Sequence, residues 1–249
     1  MLPRGDVAIV IPAKDESDRI QATVKAAAGL PGADILVVVD DGSGDDTGLV
    51  AEKAGAIVLR HGRTRGKGAT LETGAEAVGL LERDEGRAVP RHLLFLDADL
   101  GESAAHAEAL MQPVRDGQAD MTIAVFSERV RAGGHGFVVA LSGSGIRRAT
   151  GWLPAQPLNG QRCLTRAAFE AARPLAPGWG AETGMTIDLL RLGLRVTEVE
   201  VPMAHRATGG DWRAQLHRAR QFAGVAWALA AREPSLQKAR QARRRSRAG

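Results

Sequence analysis

Short runs of consecutive apolar residues punctuate the first half of the chain: VAIVI (7–11), ILVVV (35–39), AIVLR (56–60) and HLLFL (92–96). Between them lie longer stretches whose apolar residues recur every three or four positions, as Ile20, Val24 and Ala27 do. That spacing predicts helices over 16–28, from Asp45 or Asp46 to 54, and over 68–83. Unbroken apolar strands separated by helices predict a parallel sheet covered on both faces. Such sheets bind ligands beyond the carboxyl ends of their strands. The polar clusters fall there: Pro12-Ala13-Lys14-Asp15-Glu16 after the first run, Asp40-Asp41-Gly42-Ser43 after the second, and Asp97-Ala98-Asp99 after the fourth.

The pattern continues with a helix over 103–115 and a strand MTIAVF (121–126), then loosens. Gly133, Gly134 and Gly136 mark a mobile loop over 127–136, and 151–160 is rich in Pro and Gly. Helices are expected over 137–149, 182–192 and 212–232, the last ended by Pro234. RVTEVEV (195–201) alternates as a half-exposed strand does. The chain is read as one domain over 1–235. Its donor half runs to about 120 and its acceptor half over 121–235, with a basic tail at 236–249.

Composition narrows the classes. With 249 residues, 44% of them hydrophobic, the chain can bury one sizeable core. No uninterrupted apolar stretch is long enough to span a bilayer, and the short apolar N-terminal run lacks the features of a signal peptide. Cys163 stands alone, which excludes an internal disulfide, fits a cytoplasmic setting and suits a small core hydrophobe. The net charge of +4 misleads, because Lys238, Arg240, Arg243, Arg244, Arg245 and Arg247 crowd the last twelve residues and the remainder carries −2. The tail is expected to stay solvated, with at most weak peripheral contact with a membrane surface. Aromatics make up 4% and Tyr is absent, so no stacking platform for nucleic acid is expected. Composition leaves a homo-oligomer open.

Three constellations carry chemistry. Asp97 and Asp99, flanking Ala98 at a strand end, can clamp a divalent cation such as Mg²⁺ or Mn²⁺, or simply cap the next helix. VVVDDGSGDDTG (37–48) sets carboxylates where a ribose or base could donate to them, beside Gly42, or forms a tight turn. RHGRTRGKGATLETG (60–74) brings Arg63, Arg65 and Lys67 to a glycine-rich helix start. Its cations and free backbone N–H groups suit a phosphate, although the glycine spacing is not that of a Walker A loop.

Jointly, VIPAKDE (10–16), VDDGSGDDT (39–47), RGKGATL (65–71) and DADL (97–100) resemble the nucleotide-sugar-dependent glycosyltransferases of the GT-A fold, family 2 type. The resemblance implies an α/β domain of GT-A type, with a mostly parallel central sheet flanked by helices. It places Ala13 and Glu16 against the base, Asp41 near the uridine and Lys67 near the base or diphosphate, with Pro12 and Gly42 also among the donor-binding residues. Asp97 and Ala98 would touch the sugar-nucleotide, and Asp99 would ligate the metal. Lys14-Asp15 departs from the family's usual Tyr or Leu followed by Asn. In the second half, GWGAETG (178–184) resembles the segment that sets an acid, here Glu182, beside the transferred sugar. AHRATGGDW (204–212) and PLNGQRCLTRAAF (157–169) resemble segments of the glucosyl-3-phosphoglycerate synthase group. They imply His205 as a second metal ligand, and Asn159, Gly160, Gln161 and Arg162 as acceptor contacts.

The resemblance therefore implies a hexosyltransferase using a nucleoside-diphosphate sugar, UDP-sugar favoured, and a small acceptor that Arg162 suggests is anionic. A polyprenyl-phosphate glycosyltransferase shares the donor half, but there DADL is usually followed by Gln-His-Pro-Pro, whereas Gly101-Glu102-Ser103 follows here. A non-catalytic nucleotide-binding scaffold would bind the donor without turnover. A sugar-nucleotide pyrophosphorylase needs a glycine-rich loop with Arg after the first strand, which this chain lacks.

Overall fold

The computed structural model describes residues 6–126, 136–203 and 212–233, with only the backbone path over 212–220. The basic tail and the expected loop ahead of Gly136 lie outside those residues. The strands are β1 (Val7–Ala13), β2 (Ala33–Asp40), β3 (Ile57–Arg60), β4 (His92–Phe95), β5 (Met121–Phe126), β6 (Arg162–Leu164) and β7 (Val196–Val201). The helices are α1 (Ile20–Ala28), α2 (Thr47–Lys53), α3 (Lys67–Asp84), α4 (Glu108–Arg115), α5 (Gly136–Thr150), α6 (Arg166–Ala172), α7 (Ala181–Arg191) and α8 (Trp212–Ala231).

Strand β1 shows why the runs are unbroken. Successive side chains point to opposite faces of a sheet. Val7, Ile9 and Ile11 enter one core with Ile20, Val24 and Ala27 of α1 and Leu110, Met111 and Val114 of α4. Ala8 and Val10 enter the other core with Leu71, Ala75 and Val78 of α3 and Phe169 of α6. Fully burying a side chain such as Ile or Leu stabilises the fold by roughly 1.5–3 kcal/mol, so a polar residue on either face would be costly.

The strands lie in the order β3-β2-β1-β4-β6-β5-β7. Every pair is parallel except those of β6, which runs antiparallel to both β4 and β5. This is the expected α/β architecture: one mostly parallel sheet with helices on both faces. From β1 the chain winds outward to β2 and β3, then returns to set β4 on the opposite side of β1. That reversal opens a crevice at the carboxyl ends of β1 and β4, where such sheets bind ligands.

Some elements differ from the sequence expectation. Helix α1 begins at Ile20 because 16–19 form a turn, in which Arg19 N and Ile20 N donate to Glu16 O. A 3₁₀ helix, Gly101–Ala107, precedes α4, where one continuous helix was expected. Helix α6 was not anticipated. It is short, and Thr165 caps it by accepting from Ala168 N. Strand β7 is half-exposed as its alternation indicated, since it pairs on one side only.

Candidate active site

The crevice is built from loops that hold one another. Asp41 N donates to Ala13 O, joining the ends of β1 and β2. The buried Asp41 carboxylate accepts from Arg65 N and Gly66 N, both at 2.8 Å, and lies 2.7 Å from His61 Nδ1. Gly66 carries a φ of +89°, a conformation L side chains rarely adopt, and so turns the chain sharply into α3. The N–H groups of Arg65 and Gly66 are therefore engaged by Asp41, in a loop whose backbone N–H groups the sequence offers to a phosphate. Asp41, which the resemblance sets near the uridine, anchors the 61–66 loop through most of its acceptor capacity. Arg63 and Arg65 themselves are exposed at the rim.

Around the first loop, Lys14 Nζ donates to Gly42 O and Thr64 Oγ1, and Glu16 N donates to Thr47 Oγ1. Pro12 is half-buried at the end of β1 and Ala13 is buried beside it. The Asp97-Ala98-Asp99 segment is pinned from α1. Thr23 Oγ1 donates to Ala98 O and accepts from Gly101 N, both at 2.8 Å, while Arg19 Nη1 donates to Asp99 O. Neither Arg19 nor Thr23 was anticipated. The available signal was a polar Thr23 within the apolar stripe of Ile20, Val24 and Ala27.

At the centre sits Lys67, the first residue of α3, with its side chain 13% exposed. Its ammonium lies 2.6 Å from Asp97 Oδ1 and 2.8 Å from Glu182 Oε1. Burial works against this charge, but the two carboxylates outweigh it and hold the Lys67 pKa above its ordinary range. Trp179 contributes a ring face 5.9 Å from the same nitrogen. Glu182, at the start of α7, has a side chain only 4% exposed. Its Oε2 finds no hydrogen-bond partner among the described residues. A buried carboxylate oxygen without a donor is costly unless a ligand supplies one.

The four residues expected to meet the acceptor separate into two roles. Gln161 Nε2 donates to Asp97 Oδ2 at 2.8 Å, and its own N–H donates to Asn159 Oδ1. Gly160 packs so close to the Lys67–Asp97 pair that a Cβ there would overlap Lys67 Nζ and both Asp97 oxygens. These residues line the carboxylate cluster. Arg162 instead faces inward at 1% exposure. It donates to Asn159 O, Pro157 O, Glu182 O and Thr186 Oγ1, clamping the 157–161 loop to α7. Burial pulls its pKa down to about 10, against the charges of Glu182 and Asp97, so the guanidinium stays protonated at neutral pH. The short antiparallel strand β6 turns the Arg162 side chain into the core, where those four acceptors hold it.

The donor set for a cation has hard oxygens at the strand end. Asp97 is tied to Lys67 and Gln161, and Asp99 is half-buried at the crevice. Among the described residues no three metal-ligating side chains converge. The residues present therefore fit Mg²⁺ or Mn²⁺ held by few protein ligands and completed by ligand oxygens, as Mg²⁺ usually is. His205 lies outside the described residues.

The model of glycosyl transferase family 2 matches residues 8–137. The chain is 28% identical over 216 residues to glycosyltransferase AglJ of Haloferax volcanii, covering 84% of this chain and 67% of that protein. It is 29% identical over 206 residues to glucosyl-3-phosphoglycerate synthase of Mycolicibacterium paratuberculosis, covering 76% and 61%. The chain spans between about a third and two thirds of the length of the curated relatives it matches. Among solved structures, it resembles glucosyl-3-phosphoglycerate synthase from Mycobacterium tuberculosis in complex with Mn²⁺, UDP-glucose and phosphoglyceric acid. The TM-score is 0.69 at 26% identity, covering 92% of this chain and 80% of that one.

Proposed function

Because the chain belongs to glycosyl transferase family 2, we propose that it moves a hexose from a nucleoside-diphosphate sugar, preferably a UDP-sugar, to a small anionic hydroxyl acceptor. The observation that carries this reading is Lys67 held between Asp97 and Glu182 beyond the carboxyl ends of β1 and β4. The similar mycobacterial enzyme that holds Mn²⁺, UDP-glucose and phosphoglyceric acid supports the choice of donor, cation and acceptor class. The donor half is read as residues 1–120, and the acceptor half as 121–235.

Pro12, Ala13, Glu16, Gly42 and Ala98 form the floor and wall against the nucleoside. Lys67 faces the charge that grows on the leaving diphosphate, and gives up part of its pairing with Asp97 as that charge develops. Asp99, with His205, would hold Mg²⁺ or Mn²⁺, which when bound neutralises the diphosphate leaving group. Asp97 positions Lys67 and meets the sugar-nucleotide. Glu182 keeps a buried Oε2 without a hydrogen-bond donor among the described residues, which supports a role toward the acceptor. In an inverting reaction it takes the acceptor hydroxyl proton; in a retaining one it orients sugar and acceptor. Asn159, Gly160 and Gln161 form the neighbouring wall.

The test is nucleoside diphosphate release from a panel of nucleotide sugars, with 3-phosphoglycerate or a polyprenyl phosphate as acceptor, with and without Mn²⁺. The expected result is metal-dependent release with a UDP-sugar and 3-phosphoglycerate, lowered at least ~100-fold by Glu182→Gln if Glu182 is the base. Metal-independent turnover would remove the cation from the reading. Transfer to the polyprenyl phosphate alone would reassign the acceptor. Donor binding without release under any condition would leave a non-catalytic nucleotide-binding domain.

A further inference from the structure

Helix α8 is apolar around its whole circumference over 222–231, which read FAGVAWALAA. Gln221, Val225, Ala228 and Arg232 face the protein and are buried. The opposite side presents Phe222, Ala223, Trp227 and Ala230 to solvent, with Phe222 40% and Trp227 49% exposed. A helix that is apolar all round is normally buried on every side. The exposed face also continues onto α5. Phe137, 74% exposed, stacks on Phe222 with ring centroids 5.7 Å apart, and Ala140 is exposed one turn further on. Beside it runs a groove of about 270 Å³ whose lining includes Val139, Ala140, Leu153 and Pro154, with Arg147 among its residues. Contiguous exposed apolar patches of this kind mark interaction sites.

We propose that this α5/α8 face docks on an anionic lipid bilayer. The charge that flanks α8 in the sequence selects that occupant. From residue 212 onward the sequence carries ten Lys and Arg and a single acid, Glu233, while the whole chain nets only +4. Arg213, Arg218 and Arg220 lie in α8 ahead of the apolar stretch, and six cations follow within the last twelve residues. An apolar, Trp-bearing helix segment flanked by cations suits a bilayer interface, where the rings enter the acyl boundary and the cations meet anionic headgroups. A second copy of the chain would set the same cation-rich segment against itself. Among the described residues no helix is long and apolar enough to cross a membrane, so α8 lies on the surface instead of spanning it. The groove and Arg147 match an acyl chain with an anionic headgroup.

The test is flotation of the full chain with two vesicle preparations, pure phosphatidylcholine and equal parts phosphatidylcholine and phosphatidylglycerol. No turnover is needed, so the result is independent of the proposed reaction. Binding to the anionic vesicles is expected at least ~10-fold above the neutral ones, weakening as salt is raised. Phe137→Ser with Trp227→Ser should lower it by a further ~10-fold at an unchanged thermal midpoint. If that pair unfolds the protein, Ala230→Asp, which keeps every aromatic, should have the same effect. Charge reversal at Arg243, Arg244 and Arg245 should also weaken binding. Equal binding to both vesicles, no binding, or binding that ignores every change on the α5/α8 face would overturn the proposal. So would a dimer, seen by sedimentation, that Ala230→Asp splits while vesicle binding is absent.

Discussion

Replacing Lys67 with Met keeps the bulk of the side chain and removes one charge from between two carboxylates. Each pair, at 2.6 and 2.8 Å, represents about 6 kcal/mol of gross attraction at an effective dielectric near 20. Desolvation cancels much of that. What the substitution exposes is the cost of leaving the partners behind, about 3–5 kcal/mol when a buried pair loses one member. Glu182 bears most of it, being 4% exposed with Oε2 already lacking a donor. Asp97 keeps Gln161 and is 23% exposed, so water relieves its share. Urea denaturation at pH 7 should therefore show Lys67→Met less stable by about 3–5 kcal/mol.

The pH dependence gives the sign. In the variant two carboxylates face one another without a cation, and protonating one relieves the repulsion. The folded variant then gains protons more readily than its unfolded chain, so its deficit should narrow toward acid. On the alkaline side, the raised Lys67 pKa means that the wild-type contribution is complete below the ordinary lysine value of about 10.4. It is lost only as pH rises through the higher folded value. Adding Glu182→Gln to Lys67→Met should restore more than half of the loss, giving a coupling energy of at least ~1 kcal/mol. A deficit under ~1 kcal/mol at pH 7, one that does not narrow toward acid, or additive single effects would refute the reasoning.

Arg162→Met should cost ~3 kcal/mol or more in urea denaturation, because it removes the guanidinium donor from Asn159 O and Pro157 O and loosens the clamp on α7, where Thr186 Oγ1 still donates to Glu182 O. Gly160→Ala forces the end of Lys67 away from Asp97, and should lower nucleoside diphosphate release at least ~10-fold while costing about 1–3 kcal/mol of stability from overpacking. Cys163 is fully buried and burial raises its thiol pKa, so a thiol reagent should leave the native chain unmodified and label one thiol on unfolding. Desolvation opposes the charge on Asp45, but hydrogen bonds from Thr47 and Ser17 prevail and lower its pKa to about 2. Its contribution is present above the ordinary Asp value of about 3.9 and lost as pH falls through about 2, so Asp45→Asn should flatten acid unfolding over that window.

The alternation of strands and helices, the two-faced burial of the sheet and the gathering of Asp41, Asp97 and Asp99 at strand ends were legible in the residues themselves. Those features come from local periodicity: an apolar side chain every second position, or every third and fourth, can satisfy burial in only a few ways. Cys163 as core, β7 as a half-exposed strand and Glu182 near the helix start followed from the same local logic. What each polar group touches did not. Nothing near residue 41 indicates that its carboxylate closes the 61–66 loop. Nothing near residue 162 indicates that an arginine in an antiparallel strand turns inward to clamp α7. Lys67, Asp97 and Glu182 stand far apart in the chain, and only the return of β4 beside β1, with α3 and α7 starting at the same edge, brings them within ion-pair distance. Burial pattern is a property of neighbours in sequence; a hydrogen-bond partner is a property of neighbours in space, chosen only once the chain has closed on itself.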